Sequence, residues 1–229
     1  MATTAICNSF KVESWQAGHC LNAVLTQSGA THTSTLLDAL PTTAGISRGM
    51  AITGGDVGAN AYVANVIDNV SLTMSVAAAG TTTASRTFTG DALKLLLIKV
   101  TPSTTFGASQ TNVGTPGSSA SSTSNVGTDE VAASGGYSSG GIALVNTTPV
   151  LSSSTAVGTF SNVSWTSATI STTAAIIYNN EKRQGAGATP INGRSISVHD
   201  FGGTQTVTGG TLTLVMPTAD SSTGLLRLA

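Results

Sequence analysis

The C-terminal half of the chain carries the pattern that most narrows its fold. Segments of strand character fall at residues 142–145, 157–165, 168–178, 195–201 and 211–216, separated by turn signals, and this spacing of short strands is that of an all-β sandwich. The last segment alternates cleanly, with Leu212, Leu214 and Met216 on one side and Thr211 and Thr213 on the other. Gly209 and Gly210 just before it signal a hairpin or a bulge. Strands with one apolar side must bury it, so two facing sheets are predicted. Residues 93–100 differ: they are mostly apolar over a strand's length, bracketed by Lys94 and Lys99, and predict a central strand covered on both faces. The fold class that follows is mainly β. We expect an antiparallel, jelly-roll-like β-sandwich in a single domain over residues 1–229, with one N-terminal α-helix and long loops.

The helix is predicted over residues 3–18. Thr3 or Thr4 serves as N-cap, Ile6 and Phe10 share a face with Ala17 further along, and Gly18 supplies the stop. Lys11 and Glu13 fall off this stripe, and Trp15 lies beside it, where packing at the core edge is preferred to anchoring a partner. From residue 20 to about residue 87 short apolar pieces alternate with Gly-rich turns. Residues 59–66 read as a short helix or a strand, whereas Val70, Leu72, Met74 and Val76 line one face of a strand. Residues 101–141 are rich in Ser, Thr, Gly and Asn. A structureless stretch of that length is uncommon inside a compact domain, so it either holds short edge strands or lies extended over a neighbouring subunit, and the second is preferred.

Charge narrows the choice of partners. The 9 Lys+Arg and 10 Asp+Glu leave a net charge of -1 and make up 8% of the chain, against a usual value of about 25%. Ser and Thr together supply 67 of the 229 residues. Counterion release has almost nothing to act on, so nucleic acid is a poor candidate partner and none is expected. A hydroxylated surface with little self-repulsion suits a protein that packs against further copies of itself. No apolar run approaches the roughly 18 residues that cross a bilayer, so no membrane span is expected. The N-terminus lacks the basic and apolar regions of a signal peptide, which predicts a protein made and kept in a cytoplasm.

Residues able to carry chemistry are few. Cys7 and Cys20 read as small buried residues, without a disulfide or a metal. His19, His32 and His199 lie in no motif, and His199 and Asp200, adjacent on a strand, point to opposite faces. Asp129-Glu130 reads as a solvated turn, and ten acids spread through the chain supply no acid/base pair and no calcium loop. The chain is therefore expected to be no enzyme and to need no cofactor. Glu181-Lys182-Arg183-Gln184 is the one dense charge cluster, read as a solvated hairpin tip with a contact site as the alternative. With Trp165, Tyr178 and Phe201 in apparent core strands, Tyr62 and Tyr137 are the rings left over for a glycan platform. The candidate contact residues are Phe10, Trp15, Tyr137, Glu181 and Arg183.

Several stretches resemble a family of tailed-bacteriophage virion proteins. The opening Ala2-Thr3-Thr4-Ala5-Ile6-Cys7-Asn8-Ser9-Phe10-Lys11 is similar to that family's start, and residues 87–98 to its acidic, Phe-containing turn and following strand. Gly136-Tyr137-Ser138-Ser139-Gly140-Gly141 matches its Gly-Tyr-x-x-Gly-Gly motif, and residues 165–170, 174–179 and 198–202 follow its closing order. The likeness covers roughly residues 2–20 and 87–217 and leaves residues 21–86 as an insertion, either an arm between subunits or an appended lobe. The resemblance implies a structural protein with no catalytic residues. It would decorate the head as a cement-type component or belong to the neck or tail, with the major capsid protein or neck/tail proteins as partners, in a virion assembled in the host cytoplasm.

Overall fold

The computed structural model describes residues 1–15, 18–181 and 193–228. In chain order the elements are β1 (Ala5–Ile6), α1 (Asn8–Trp15), β2 (Leu25–Thr31), β3 (Leu36–Asp38), β4 (Ala51–Thr53), β5 (Val63–Asp68), β6 (Ser71–Met74), β7 (Thr83–Thr89), β8 (Leu93–Lys99), β9 (Ile142–Ala143), β10 (Val150–Ser152), β11 (Thr155–Gly158), β12 (Val163–Asn179), β13 (Ser195–Leu214) and β14 (Leu226–Leu228). They form a five-stranded sheet in the order β1-β13-β12-β8-β9, a three-stranded sheet β10-β11-β14, and a six-stranded sheet β4-β7-β2-β3-β6-β5. Every pairing between strands is antiparallel, and the chain is mainly β with a sandwich-like arrangement, as the strand spacing predicted.

The apolar run at residues 93–100 becomes β8, inside the five-stranded sheet. Leu95 and Leu97 face one side and Leu96 and Ile98 the other, all of them buried, so both faces are covered. On one edge β8 pairs with β12, Leu96 opposite Ile176 and Leu97 opposite Ala175. Where that ladder shifts register, the Thr172 hydroxyl donates to the Ile98 carbonyl at 2.7 Å and satisfies the acceptor that the shift would orphan. β12 and β13 make a long ribbon with several such shifts, one between Ala168 and Ile170 opposite Val207 and Gly210. Gly209 sits in this irregularity at φ +61 with open space around it, so backbone conformation and not crowding calls for glycine there. The signal at 209–210 is thus a bulge inside one strand, and residues 195–201 and 211–216 are one element instead of two. Likewise residues 168–178 and the end of 157–165 share β12. Bulges bend the ribbon: Leu214 at its far end and Met216 just beyond line the same cavity as Leu95 and Ile177. This fold-back, with the small sheet's Val157 and Leu226, supplies the second layer over the sandwich core.

The N-terminal helix is shorter than predicted. Residues 3–6 are drawn out of the helix, because Ala5 and Ile6 pair as β1 with Val198 and Ser197 at the edge of β13, and the Thr3 amide donates to Phe106 O at 2.9 Å. Helix α1 therefore spans Asn8–Trp15, and the amide of Gly18, the predicted stop, donates to Glu13 O at 2.8 Å. Phe10 faces the core as predicted, and Ala17 lies outside the described residues.

Residues 101–141 correct the expectation of an arm laid over a neighbour. Phe106, Val113, Val126, Val131 and Tyr137 all bury themselves in the sandwich's own core. Between these anchors, side chains take over the bonding that a ladder would provide. Buried Asp129 accepts from the amides of Ser103 and Thr104, each at 2.9 Å, and from Lys99 Nζ. The segment even pairs alongside β8, since the Val131 amide donates to Leu97 O at 2.9 Å.

Residues 21–86 fold as a lobe and not as an extended arm. The six-stranded sheet encloses a second core with Leu37, Met50, Ile52, Val63, Leu72, Met74 and Phe88 at its centre, so the expected single domain has two separate clusters of buried apolar residues. Residues 63–68 are strand. The alternating face predicted over 70–76 holds for Leu72 and Met74, whereas Val70 and Val76 fall outside β6 and are exposed. The lobe's ends meet: the Cys20 amide donates to Asp91 Oδ2 at 2.9 Å and the Asp91 amide to Cys20 O at 2.7 Å.

Candidate contact surface

Of the five residues singled out for contact, the fold withdraws two. Phe10 is 2% exposed and packs its ring against His19 at 5.0 Å between centroids. Tyr137 is also 2% exposed, because its ring fills the space beside Trp165 and its hydroxyl bridges the Leu97 amide at 3.0 Å and Glu130 Oε1 at 2.8 Å. Burial, reinforced by Glu130, pushes that phenol far above its ordinary range. Trp15 departs from expectation the other way. It is 93% exposed instead of packed at the core edge, beside Val12 on the outer face of α1, because Phe10 and Glu13 occupy the face turned inward. Glu181 is half-buried, its amide donating to Asn179 Oδ1 at 2.8 Å, and Arg183 lies outside the described residues.

The acid pair Asp129-Glu130 is no solvated turn, since both side chains are buried. Burial alone would raise the Asp129 carboxyl, but bonds from Ser103, Lys99 and Thr104 outweigh it and hold the group at about 2. Glu130 ties Tyr137 to Ser139 Oγ at 2.7 Å and to the Gly140 amide at 2.6 Å. Both acids brace residues 101–141 from within.

Sequence reasoning missed a buried polar chain. His19 lies between Glu13, at 2.8 Å from Nε2, and Asn179, at 3.0 Å from Nδ1. Because Asn179 Oδ1 accepts from Glu181, its Nδ2 group is the donor, to Asp91 Oδ2 at 2.6 Å and to His19 Nδ1. That assigns the His19 proton to Nε2, directed at Glu13, which Arg194 also reaches at 3.1 Å. Positions 13, 19, 91, 179 and 194 share no spacing, so only the closed fold assembles them. No group of three or more His, Cys, Asp and Glu able to hold a metal occurs among the described residues. Both cysteines are buried, and burial pushes the Cys7 thiol up to about 12.

His199 gains a partner that its neighbour Asp200 could not be: Ser197, two positions back on the same face of β13, places Oγ 2.8 Å from Nε2. Burial holds the imidazole down to about 4. A base that weak takes no proton from a serine at neutral pH, and Ser197 itself is sealed in the core.

What remains on the outside is a set of exposed apolar and hydroxyl features. Leu151, Ala156 and Leu228 stand directly opposite one another across β10, β11 and β14 and form an exposed apolar row, with Leu151 at 75% exposure. On the ribbon, hydroxyls pair across the strands, Ser164 with Thr213 at 2.8 Å and Ser171 with Thr206 at 3.0 Å. No helix among the described residues is long and apolar enough to cross a membrane. No protein-family model matches the chain, and neither a curated protein nor a solved structure does so.

Proposed function

We propose that this chain is a non-enzymatic structural protein of a tailed-bacteriophage virion, a capsid decoration or cement-type component that stabilises the particle through contacts with further copies of itself and with the major capsid protein. The observation that carries the reading is the exposed row Leu151, Ala156 and Leu228. It lies on a small sheet whose edge strands are β10 and β14, and β10 bears no charge to deter pairing. Exposed Trp15 adds a second apolar anchor, and the ribbon's hydroxyl pairs suit a wet interface with few desolvated charges. The likeness of residues 2–20 and 87–217 to virion proteins supports the setting.

Quantitative mass spectrometry of purified particles tests the reading. Many copies per particle are expected; absence ends the idea, and a few copies would move the protein to the neck or tail. In solution, Leu151→Asp is expected to convert the oligomer to monomer in light scattering without loss of fold, since the residue touches little of its own chain. The rival reading, a host-glycan adhesin using Tyr62 and Tyr137, loses Tyr137 to the core and keeps a half-buried Tyr62.

A further inference from the structure

Two cavities flank His199. One, of about 400 Å³, is walled by the apolar side chains of Leu95, Ile177, Phe201, Leu214, Met216 and Leu225 between the five-stranded sheet and the fold-back of the ribbon. The other, of about 330 Å³, is mixed in character: Thr4, Thr155, Ser221 and Arg227 line it beside Ala5 and Ile6. His199 and Leu225 border both, so the two adjoin as a two-part trough. Each lies within the size range of small-ligand sites, roughly 300–1,000 Å³.

We propose that this trough binds an alkyl carboxylate, with its chain in the apolar half and its head group at Arg227. Charge complementarity selects the class. Arg227 is the single charged side chain lining either half among the described residues, and its Nη1 is directed to the carbonyls of Ser221 and Ser222, which leaves Nε and Nη2 for a ligand. No acid among the described residues lines either cavity. Asp220 accepts from the Ser222 and Thr223 hydroxyls, and Asp200 Oδ1 accepts from the Gly202 amide at 3.0 Å. His199 stays neutral between the halves and adds no second charge. A purely apolar ligand would leave Arg227 without a partner charge, and a small anion such as acetate would leave the apolar cavity empty.

The methionines make the test specific. Met216 lines the trough, whereas Met50 and Met74 sit in the lobe's core and Met1 is exposed at the N-terminus. With the methionine methyls isotope-labelled, dodecanoate added below its micelle threshold is expected to shift Met216 and to leave Met50 and Met74 in place. Arg227→Gln, an exposed change, is expected to weaken dodecanoate by about tenfold, the loss of a charge-assisted bond, and to leave dodecanol affinity unchanged. A silent Met216, an equal response from the lobe methionines, or dodecanoate affinity indifferent to Arg227→Gln would each overturn the proposal. None of these outcomes bears on whether the protein is found in virions.

Discussion

The lobe and the sandwich draw on the same hydroxyl-rich sequence, yet they build their interiors differently. At the sandwich's centre lies a ladder of aliphatic side chains on β8 and β12, held by backbone pairing and capped at one irregularity by Thr172. The lobe instead surrounds a fully buried cation. The Arg86 guanidinium donates to the carbonyls of Gly29, Gly54 and Thr82, to the hydroxyls of Thr31 and Thr82, and to Asp56 at 3.2 Å. The Thr31 hydroxyl, helped by Thr82 and Arg86, holds the Asp56 carboxyl at about 2. Strands as short as β3 and β4 bury little apolar surface each, so a multidentate hub joins loops and strands that could not hold one another by area alone. A long apolar run needs no such device.

The contrast can be broken at the hub. Arg86→Met leaves Asp56 and several carbonyls facing an apolar side chain, and we expect a loss of about 3–5 kcal/mol. Hydrogen exchange locates it: amides of β2, β6 and β7 should lose protection while those of β8 and β12 keep theirs. Simultaneous loss in both regions would mean that the two cores unfold as one.

On the sandwich side, acid sharpens the comparison. The folded Asp129 value of about 2 lies below the ordinary 3.8, so its contribution is complete above the ordinary value and fades as pH falls toward about 2. Asp129→Asn should lower stability at neutral pH and flatten the acid limb of a denaturation series. An unchanged acid limb would show that the bonds to Ser103 and Thr104 do not brace residues 101–141. The smallest effect belongs to the surface. Ser164→Ala removes one exposed hydroxyl pair with Thr213 and should change stability by no more than about 0.5 kcal/mol in thermal melts.

Legibility followed the range of the interactions concerned. β8 could be read because an unbroken apolar run has few destinations, and Leu212 and Leu214 because alternation reports a half-buried strand directly. The helix start could not, since whether Ala5 and Ile6 coil or extend depends on an edge of β13 that lies almost two hundred residues away. Residues 101–141 misled for a related reason: five anchors at irregular spacing have no period, and low-complexity composition hides them. Among the contact candidates, Trp15 could be named but not placed. The row of Leu151, Ala156 and Leu228 could not be named at all, because strand register aligns it.

By itself the sequence determined the class of fold, the central strand and the scarcity of charge, because alternation, apolar runs and composition act locally or on average. Only the tertiary structure decided which rings face solvent, that residues 21–86 close on their own core, and that Glu13, His19, Asp91 and Asn179 meet. Those outcomes depend on register between distant strands, where a shift of one position turns every side chain to the other face.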